Sequence, residues 1–515
     1  MSTNVLRSSA LVLAVSLMAL TGCSVGPDYQ QPMVDQPAAY KEGGPWKKAQ
    51  PRDEIAKGDW YTIFHDPKLN ELEAQAQAAN QTLRAAVARV SEARALARQS
   101  EAGFYPALDF SGTGSRQRTS PNNGQIMAQS PGGVGASHTF TSATVVPFDL
   151  SYEVDIWGKV RRAFEAAGDQ AQANLADYEN VLLGLKSDVA TTYFAIRTAD
   201  SQIDVQRRTI QSYKENLDLT NSRFQGGISN QLDVEQAKAT LAAAQAQLAT
   251  LDQSRAQVEH SLAVLVGKAP ASFSLKFHPL EARPPTIPPG LPSDLLERRP
   301  DVAAAERRVA AQNARIGVAI AAYFPSLQLT GQTGFDSGDL GLLFNWESRI
   351  WSYGPSIQFP IFEGGRIDAN VKQQRAAYEE NVANYRQQVL VAFQDVEDSL
   401  SALHYLSEQD EAENRAFESY KKALELTNAR YTTGLVSYFD VIQAEALALG
   451  AEQLTVQIAG NRMATTVHLV KALGGGWADS YTYQPNHGDH VASPSTTPTV
   501  LGSADKTEGL PAQNH

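Results

Sequence analysis

The sequence predicts an α+β membrane protein in which several chains contribute strands to one β-barrel. This barrel is continuous with a cylinder of long helices. Three observations support this fold class. An internal two-fold repeat occupies most of the 515 residues. Each copy contains a pair of segments in which polar and apolar residues alternate, as they do in strands. Each copy also contains a helical pattern of roughly 65 residues, which is roughly 95 Å long at 1.5 Å per residue.

The repeat is clearest where one helical pattern ends and the next begins. Without gaps, the alignment of the two copies pairs Arg223 with Arg430, Gly227 with Gly434, and Asp233 with Asp440. In each copy an aromatic residue follows the Arg, and a Gly stands where a helix must stop in the left-handed conformation. An Asp-Val pair then lies in the opening turns of the next helix. These features predict the tip of a helical hairpin.

The overall composition excludes some classes of protein. Apolar residues make up 43% of the chain and charged residues 19%, which excludes wholesale disorder. The formal net charge is −12, and no basic run is interleaved with aromatic residues, so nucleic acid is excluded as a partner. One cysteine excludes an internal disulfide.

The N-terminal residues predict export and lipidation. Arg7 precedes an apolar run, 10–20, which is too short to span a bilayer but suits a signal peptide over 1–22. Leu20-Thr21-Gly22-Cys23 resembles a bacterial lipobox, so Cys23 is expected to carry an N-acyl chain, such as palmitate, and an S-diacylglycerol lipid. The alternative is an ordinary secretory signal with an incidental cysteine. Ser24 after the cysteine favours, by resemblance to bacterial lipoproteins, delivery to the outer membrane.

The remaining chain divides into five predicted segments. They are a lipidated extended segment over 23–66, a first repeat over 67–266, a Pro-rich equatorial segment over 267–300, a second repeat over 301–476 and a disordered tail over 477–515. Each repeat consists of a helix, a β-hairpin, and a long helical hairpin with its tip. The β-hairpins are expected over 107–157 and 326–362, and the tips over 223–233 and 430–440.

The first helix of the first repeat has clear boundaries in the sequence. Asp66 is a suitable N-cap and Pro67 a suitable first residue, and the helix is expected to continue to about Ala102. Gly103 and Pro106 then stop it. The second repeat has a corresponding helix before its β-hairpin.

The alternation and the number of the predicted strands distinguish a membrane protein from a soluble protein. One face of the return strand of the first hairpin is expected to carry Val146, Phe148, Leu150, Tyr152, Val154 and Ile156, and the other Pro147, Asp149, Ser151, Glu153 and Asp155. Four strands per chain cannot close a membrane barrel, which needs about eight, and an open edge in lipid is forbidden. Several chains must therefore share one barrel. The alternative is a soluble sandwich with the same alternation.

The helices indicate a hollow cylinder below the barrel. Two shorter helices, Ile228 to Val266 and Asp301 to Ala322, together match the long helix that begins at Val160, so they are expected to stack end to end along it. Apolar or small residues recur every three or four positions, as in a coiled-coil seam. Each helical pair also has a wet face and an Ala-rich flank, and the flank needs a neighbouring chain to bury it. A ring of such pairs leaves a central passage.

Several short motifs in this chain resemble those of a known family. They are Cys23-Ser24-Val25-Gly26-Pro27-Asp28-Tyr29, Phe64-His65-Asp66-Pro67-Lys68-Leu69, Asp155-Ile156-Trp157-Gly158-Lys159, Arg298-Arg299-Pro300-Asp301, Ala321-Ala322-Tyr323-Phe324-Pro325 and Phe362-Glu363-Gly364-Gly365-Arg366. From Leu20 to about Leu473 the chain resembles the TolC-like outer-membrane factors of tripartite efflux systems, in the OprM- or NodT-type lipoprotein branch. The resemblance implies a homotrimer with a twelve-stranded β-barrel and a periplasmic α-helical barrel. It also implies a periplasmic membrane-fusion adaptor and an inner-membrane RND-type pump as partners.

The resemblance also implies that the hairpin tips form a gate at the periplasmic end. The candidate gate residues are Arg223, Phe224, Asp233, Arg430, Tyr431, Phe439, Asp440 and Gln443. Phe439 matches an apolar constriction residue of the family, and Gln443 stands where close relatives have a second Asp. Arg430 and Tyr431 are expected to tie neighbouring tips together by charge-assisted hydrogen bonds. Asp233 and Asp440 either face the lumen or merely favour the helix N-termini.

Three acidic residues of the first β-hairpin are candidates for the interior of the barrel. Asp149, Glu153 and Asp155 share the polar face of the return strand, so they would favour cations in the lumen. The alternative is that they are solvated at the rim of the barrel. Reversal potentials that showed anion preference would contradict the lumenal interpretation.

Signals of catalysis or of a metal site are poor. His487 and His490 come nearest to ligand spacing, but they lack cysteine or carboxylate partners. No nucleophile with a base is visible, and no Gly-rich stretch has the context of a phosphate loop. We therefore expect no enzyme activity, no metal and no cofactor beyond the lipid on Cys23.

The favoured function is an outer-membrane channel of a tripartite efflux pump, a gated exit duct for drugs or other small toxic compounds. The alternatives are a duct for type I protein secretion or for metal-ion efflux. Two other classes are weighed against it. A periplasmic adaptor also has long hairpins but lacks repeated pairs of amphipathic strands, and a stand-alone porin would need no tips of matched sequence.

Overall fold

The computed structural model describes residues 24–35, 37, 40–41, 59–118, 139–281, 284–285, 287 and 299–475. Several predictions fall outside these residues. They are the signal peptide over 1–22, the lipidation of Cys23, the pair His487 and His490, and the tail over 477–515.

The first repeat contains four α-helices and two strands within the described residues. In chain order they are α1 (Pro67–Ala79), α2 (Gln81–Glu101), β1 (Ala107–Arg118), β2 (Thr139–Val154), α3 (Lys159–Gln225) and α4 (Gln231–Leu265). Gly158 precedes α3 with a φ of 77°, a left-handed conformation that suits glycine. The long helix α3 packs along α2, α4 and α5 (Pro300–Ala321), so shorter helices cover its length.

The second repeat has the same order of elements, except that one helix, α5, precedes its strands where two helices, α1 and α2, precede those of the first repeat. After α5 come β3 (Ser326–Ser337), β4 (Arg349–Gln358), α6 (Arg366–Thr432) and α7 (Tyr438–Ala472). The two long helices α3 and α6 contain 67 residues each, and their return helices α4 and α7 contain 35 each. The internal repeat therefore extends from the sequence to the lengths of the elements.

The prediction of a single helix from Pro67 to about Ala102 is wrong, because the helix is interrupted at Asn80. Asn80 has extended backbone, with a ψ of 126°, and its Oδ1 accepts a hydrogen bond from the Leu83 amide at 2.9 Å. Its Nδ2 donates to the Leu265 carbonyl at 3.0 Å, at the end of α4. An Asn side chain that bonds backbone groups competes with the helix. Asn80 therefore ends α1, caps α2 and ties both helices to α4.

The four strands form one antiparallel sheet in the order β1-β2-β3-β4. On one face, Leu150 lies opposite Leu108 and Gly331, and Gly331 lies opposite Tyr353. The neighbouring row on that face ends in Trp351, whose ring stacks on that of Tyr353 with centroids 5.6 Å apart. These two rings are 71% and 80% exposed in the single chain. This apolar face has the character of a lipid-facing surface.

The other face of the sheet is polar. Asp149 lies between Asp109 and Gln332, and Gln332 lies opposite Ser352. Among the residues that the structure describes, β1 and β4 each have a strand partner on one side only. A single chain therefore has two open sheet edges.

The alternation expected through Pro147 is interrupted by a β-bulge. The partners of β2 shift register between Val145 and Phe148, because proline has no amide hydrogen to donate to the ladder. Val145 and Phe148 both lie opposite apolar-face residues of β3, so Val146 does not continue the face predicted for it. Gly334 makes room for the bulge, since a Cβ there would lie 2.3 Å from the Val145 carbonyl oxygen.

The main cores lie along the helices between the sheet and the tips. One cluster includes Trp60, Phe64, Phe194 and Leu262, and the rings of Phe64 and Phe194 are 4.9 Å apart. A second cluster joins α5, α6 and α7 around Val389. None of the described helices combines the length and the apolar character needed to cross a membrane.

Candidate functional site at the hairpin tips

The two tips have the same backbone conformation. Gly227 and Gly434 have φ values of 72° and 77°, which a residue with a side chain rarely adopts. In the first tip the Ile228 amide donates to the carbonyl of Arg223 at 2.8 Å, and in the second the Leu435 amide donates to that of Arg430 at 2.9 Å. These bonds satisfy the last carbonyls of α3 and α6.

Asp233 and Asp440 stabilise the first turns of the returning helices. The Ser437 amide donates to Asp440 Oδ2 at 2.9 Å in a capping box, and hydrogen bonds from Ser437 lower the pKa of Asp440. In the first tip the Ser229 hydroxyl donates to Asp233 Oδ2 at 2.7 Å. The structure therefore shows the helix N-terminal role of both aspartates, and their lumenal role stays a prediction.

Arg223 of the first tip binds Tyr431 of the second tip. Arg223 Nη1 donates to the Tyr431 carbonyl at 2.8 Å, and the Arg223 guanidinium lies 4.5 Å from the centre of the Tyr431 ring. The Tyr431 ring packs on that of Tyr438, with centroids 5.7 Å apart, in a small core with Ala237 and Val441.

Arg430 does not make the corresponding contact with Tyr431 within the chain. Its carbonyl accepts from the Thr433 hydroxyl at 2.9 Å, and its charge helps to lower the pKa of Asp440. The charged contact between the two tips of one chain is therefore made by Arg223. A connection through Arg430 between neighbouring chains stays a prediction.

The remaining candidate gate residues lie on the surface of the chain. Phe224 and Phe439 are 43% and 52% exposed, and Gln443 is also exposed. Large aromatic side chains at the surface of a hairpin tip are available to contact another chain or to narrow a passage. Their place in a constriction stays a prediction.

Sequence reasoning missed a buried carboxyl just behind the tips. Glu445 of α7 is 5% exposed, and its Oε1 accepts from Asn216 Nδ2 at 2.6 Å and from the Ser212 hydroxyl at 3.2 Å. Its Oε2 is buried without a hydrogen-bond partner. Burial raises the pKa of Glu445, and burial also raises the pKa of nearby Tyr213 to about 12. Glu445 follows the buried Tyr438 by seven residues, and this helical spacing is a signal that could have identified it.

Polar contacts continue along the seam between α3 and α7. Arg208 forms an ion pair with Glu452 at 2.8 Å, and Gln453 Nε2 donates to Gln206 Oε1 at 2.9 Å. Further from the tips, Gln202 Nε2 donates to Gln457 Oε1 at 2.9 Å. Hydrogen bonds and an ion pair therefore connect the two helical hairpins of one chain along this seam.

The three predicted lumenal carboxylates have different surroundings. Asp155 lies after the end of β2, where it caps α3 by accepting from the amides of Val160 and Arg161 at 3.0 and 2.9 Å. Glu153 pairs with Lys159 at 2.9 Å. Asp149 lies on the polar face of the sheet. Asp155 is thus not a strand residue, and the lumenal role of all three stays a prediction.

The segment that follows Cys23 is attached to the junction between β2 and α3. The Val25 amide donates to the Trp157 carbonyl at 3.0 Å, and Asp28 pairs with Arg162 at 2.7 Å. Ser24 packs so closely that a Cβ on Gly158 would lie 2.8 Å from the Ser24 hydroxyl. The first described residue after Cys23 is therefore held where the strands meet the helices.

This arrangement matches a known class of protein. The model of the outer membrane efflux protein family matches residues 72–268 and 291–475. The chain belongs to this family, so the resemblance to the outer-membrane factors of tripartite efflux systems is confirmed. It is an outer-membrane channel protein of efflux, with its helices in the periplasm.

Individual relatives resemble the chain over nearly its whole length. The toluene efflux pump outer membrane protein TtgC of Pseudomonas putida is 32% identical over 491 residues, which are 95% of this chain and 100% of TtgC. The cation efflux system protein CusC of Escherichia coli is 32% identical, and the alignment covers 89% of this chain and 97% of CusC. The two relatives are named for different cargoes.

The solved structure of the outer-membrane channel OprN has the same fold. It superposes with a TM-score of 0.80 at 29% identity, over 88% of this chain and 100% of OprN. The predicted fold class is confirmed, with four strands per chain that belong to a shared β-barrel continuous with a periplasmic helical barrel.

Proposed function

We propose that the chain forms a homotrimeric, gated exit duct through which small toxic organic compounds pass from the periplasm to the exterior. The observation that carries this proposal is a four-stranded sheet with an apolar face and two open edges. Open edges in lipid leave backbone groups without hydrogen bonds, so each edge needs the sheet of another chain. The number three comes from the family resemblance.

The partners in this proposal are a periplasmic adaptor and an inner-membrane RND-type pump. A duct without an energy source cannot move a compound against its gradient, so a pump must drive it. The tips are the natural place for contact with an adaptor, because they are the ends of the helical hairpins furthest from the sheet. The duct itself has no enzyme activity in this proposal.

Two cargo classes are supported by relatives. The name of TtgC favours toluene and similar organic compounds, and the name of CusC favours cations as a second candidate. Protein secretion is supported by neither name. A gene disruption in the native host, followed by growth in toluene and in salts of metal cations, separates the two candidates.

The lipid on Cys23 is also part of the proposal. Ser24 and Val25 are attached beside the end of β2, so acyl chains on Cys23 would lie next to the inner leaflet of the outer membrane. A lone acyl chain binds membranes only modestly, and the shared barrel supplies the remaining attachment. Mass spectrometry of the N-terminal peptide tests this lipid.

A reconstitution experiment tests the duct itself. The full-length protein is extracted in mild detergent, and ion currents are recorded in planar lipid bilayers. The proposal predicts discrete conductance steps from an oligomer. A monomer that carries no current contradicts the duct, whatever the cargo proves to be.

A further inference from the structure

The loop between β3 and β4 exposes an unusual number of large apolar side chains. The loop is at the end of the sheet away from the helices, because β2 and β4 run into α3 and α6 at the opposite end. The exposed apolar residues of the loop are Leu340, Leu342, Phe344 and Trp346. Phe344 and Trp346 are 70% and 72% exposed. A loop that met only water would not be expected to expose such a cluster.

The loop is continuous with the apolar face of the sheet. Phe335 lies two residues beyond Thr333, whose partner Trp351 belongs to that face, so Phe335 lies on the same face. The ring of Phe344 packs edge-on against Phe335 with centroids 5.6 Å apart. The loop therefore extends the lipid-facing surface at its external end.

A cation completes this surface. Arg349 lies directly opposite Phe335 in the ladder, so its side chain leaves the sheet on the apolar face. Its guanidinium lies over the Trp346 ring, and its Nε donates to the Trp346 carbonyl at 2.8 Å. It forms no ion pair within the described ranges of the chain.

We infer that this surface, the outer patch, binds lipid A, a phosphorylated and multiply acylated lipid of the outer leaflet. The outer patch consists of Leu340, Leu342, Phe344, Trp346 and Arg349. Its apolar side chains contact acyl chains, and the Arg349 guanidinium binds a phosphate group of the lipid at the level where the acyl chains end. The planar guanidinium suits this task, because its N–H groups match the geometry of phosphate oxygens.

Continuity with the lipid-facing surface favours lipid over a second protein. A neighbouring chain of the same barrel would pair with the open edges β1 and β4, in the plane of the sheet. The outer patch lies on the sheet's outward face and above it, where lipid surrounds a barrel. Large aromatic side chains concentrate at the level of lipid headgroups in membrane proteins.

The experiment measures lipid binding to the full-length oligomer in detergent by native mass spectrometry. The probes are lipid A with both phosphates, lipid A without phosphates, and phosphatidylglycerol. We expect the bisphosphorylated lipid to bind most tightly. Arg349→Gln is expected to weaken the affinity for this lipid about tenfold, because one charge-assisted hydrogen bond is lost. Arg349→Lys is expected to restore part of this affinity, because it keeps a positive charge.

Glu347→Gln is the matched control, because it changes a charge of the opposite sign in the same loop. Its affinity for lipid A is expected to stay the same or to increase. The inference is overturned if removal of the phosphates leaves affinity unchanged, or if Arg349→Gln binds like the unchanged protein while both migrate as intact oligomers. Disulfides between separate oligomers through Trp346→Cys would show instead that a second copy covers the patch. None of these results bears on conductance, so the proposed duct is tested separately.

Discussion

Removal of the Arg223 guanidinium should loosen the contact between the two tips of each chain. Arg223→Gln keeps a helix-compatible side chain but removes the charge that binds the Tyr431 carbonyl and ring. If the tips form the periplasmic gate, this change favours the state in which they separate.

The size of the effect follows from the two contacts. A hydrogen bond to a charged group contributes about 1.5–3 kcal/mol, and a cation–π contact at an exposed site contributes about 0.5–1 kcal/mol. Arg223 is half-buried, so water competes for it and the lower values apply. The sum is about 2 kcal/mol per chain, which converts to about 30-fold in the equilibrium between joined and separated tips.

Single-channel recording in planar bilayers measures this equilibrium as the mean conductance and the fraction of time spent open. Both are expected to increase in Arg223→Gln, and less so in Tyr431→Leu, which keeps the carbonyl acceptor. Lys214→Gln is the matched control, because it removes an exposed cation from the same helix.

Arg430→Ala separates the two possible connections between tips. If only this variant raises conductance, the tie runs between chains rather than through Arg223. If the Arg223→Gln channel has the conductance of the unchanged protein, the contact between Arg223 and Tyr431 does not hold the gate closed.

Three further predictions concern stability. Burial raises the pKa of Glu445, so the packed seam is most stable below the ordinary glutamate pKa and loses stability as pH rises through the raised pKa; Glu445→Gln should remove this pH dependence from thermal unfolding curves. Asn80→Ala should lower the free energy of unfolding by about 1–2 kcal/mol through loss of the cap, measurable by denaturant titration. Gly334→Ala should reduce the yield of assembled oligomer on gels, because its Cβ would collide with Val145, whereas Gly354→Ala has open space and should assemble normally.

Periodicity was sufficient to predict most of the helices and strands, although not the interruptions at Asn80 and Pro147. Unbroken helical spacing gave the long helices, and alternation gave four strands with one polar and one apolar face. These patterns depend on which face of a helix or strand is exposed to water. The spacing of polar and apolar residues in the local sequence shows this exposure directly. The duplicated Gly227 and Gly434 located both tips for the same reason, because a left-handed turn has a local requirement.

Features that depend on distant contacts were missed or misassigned. Asn80 breaks a helix because its side chain reaches the end of α4, which local propensity does not record. Arg223 and Arg430 are equivalent in the repeat, yet only packing decides which of them reaches Tyr431. The buried position of Glu445 likewise depends on Asn216, which is more than two hundred residues away in sequence.

The central claim is that chains combine their four-stranded sheets into one wall through the outer membrane. Native mass spectrometry of the full-length protein, extracted in mild detergent, tests it most directly. A particle of three chains is expected. A particle with the mass of one chain, under conditions in which the helices remain folded by circular dichroism, would contradict the claim.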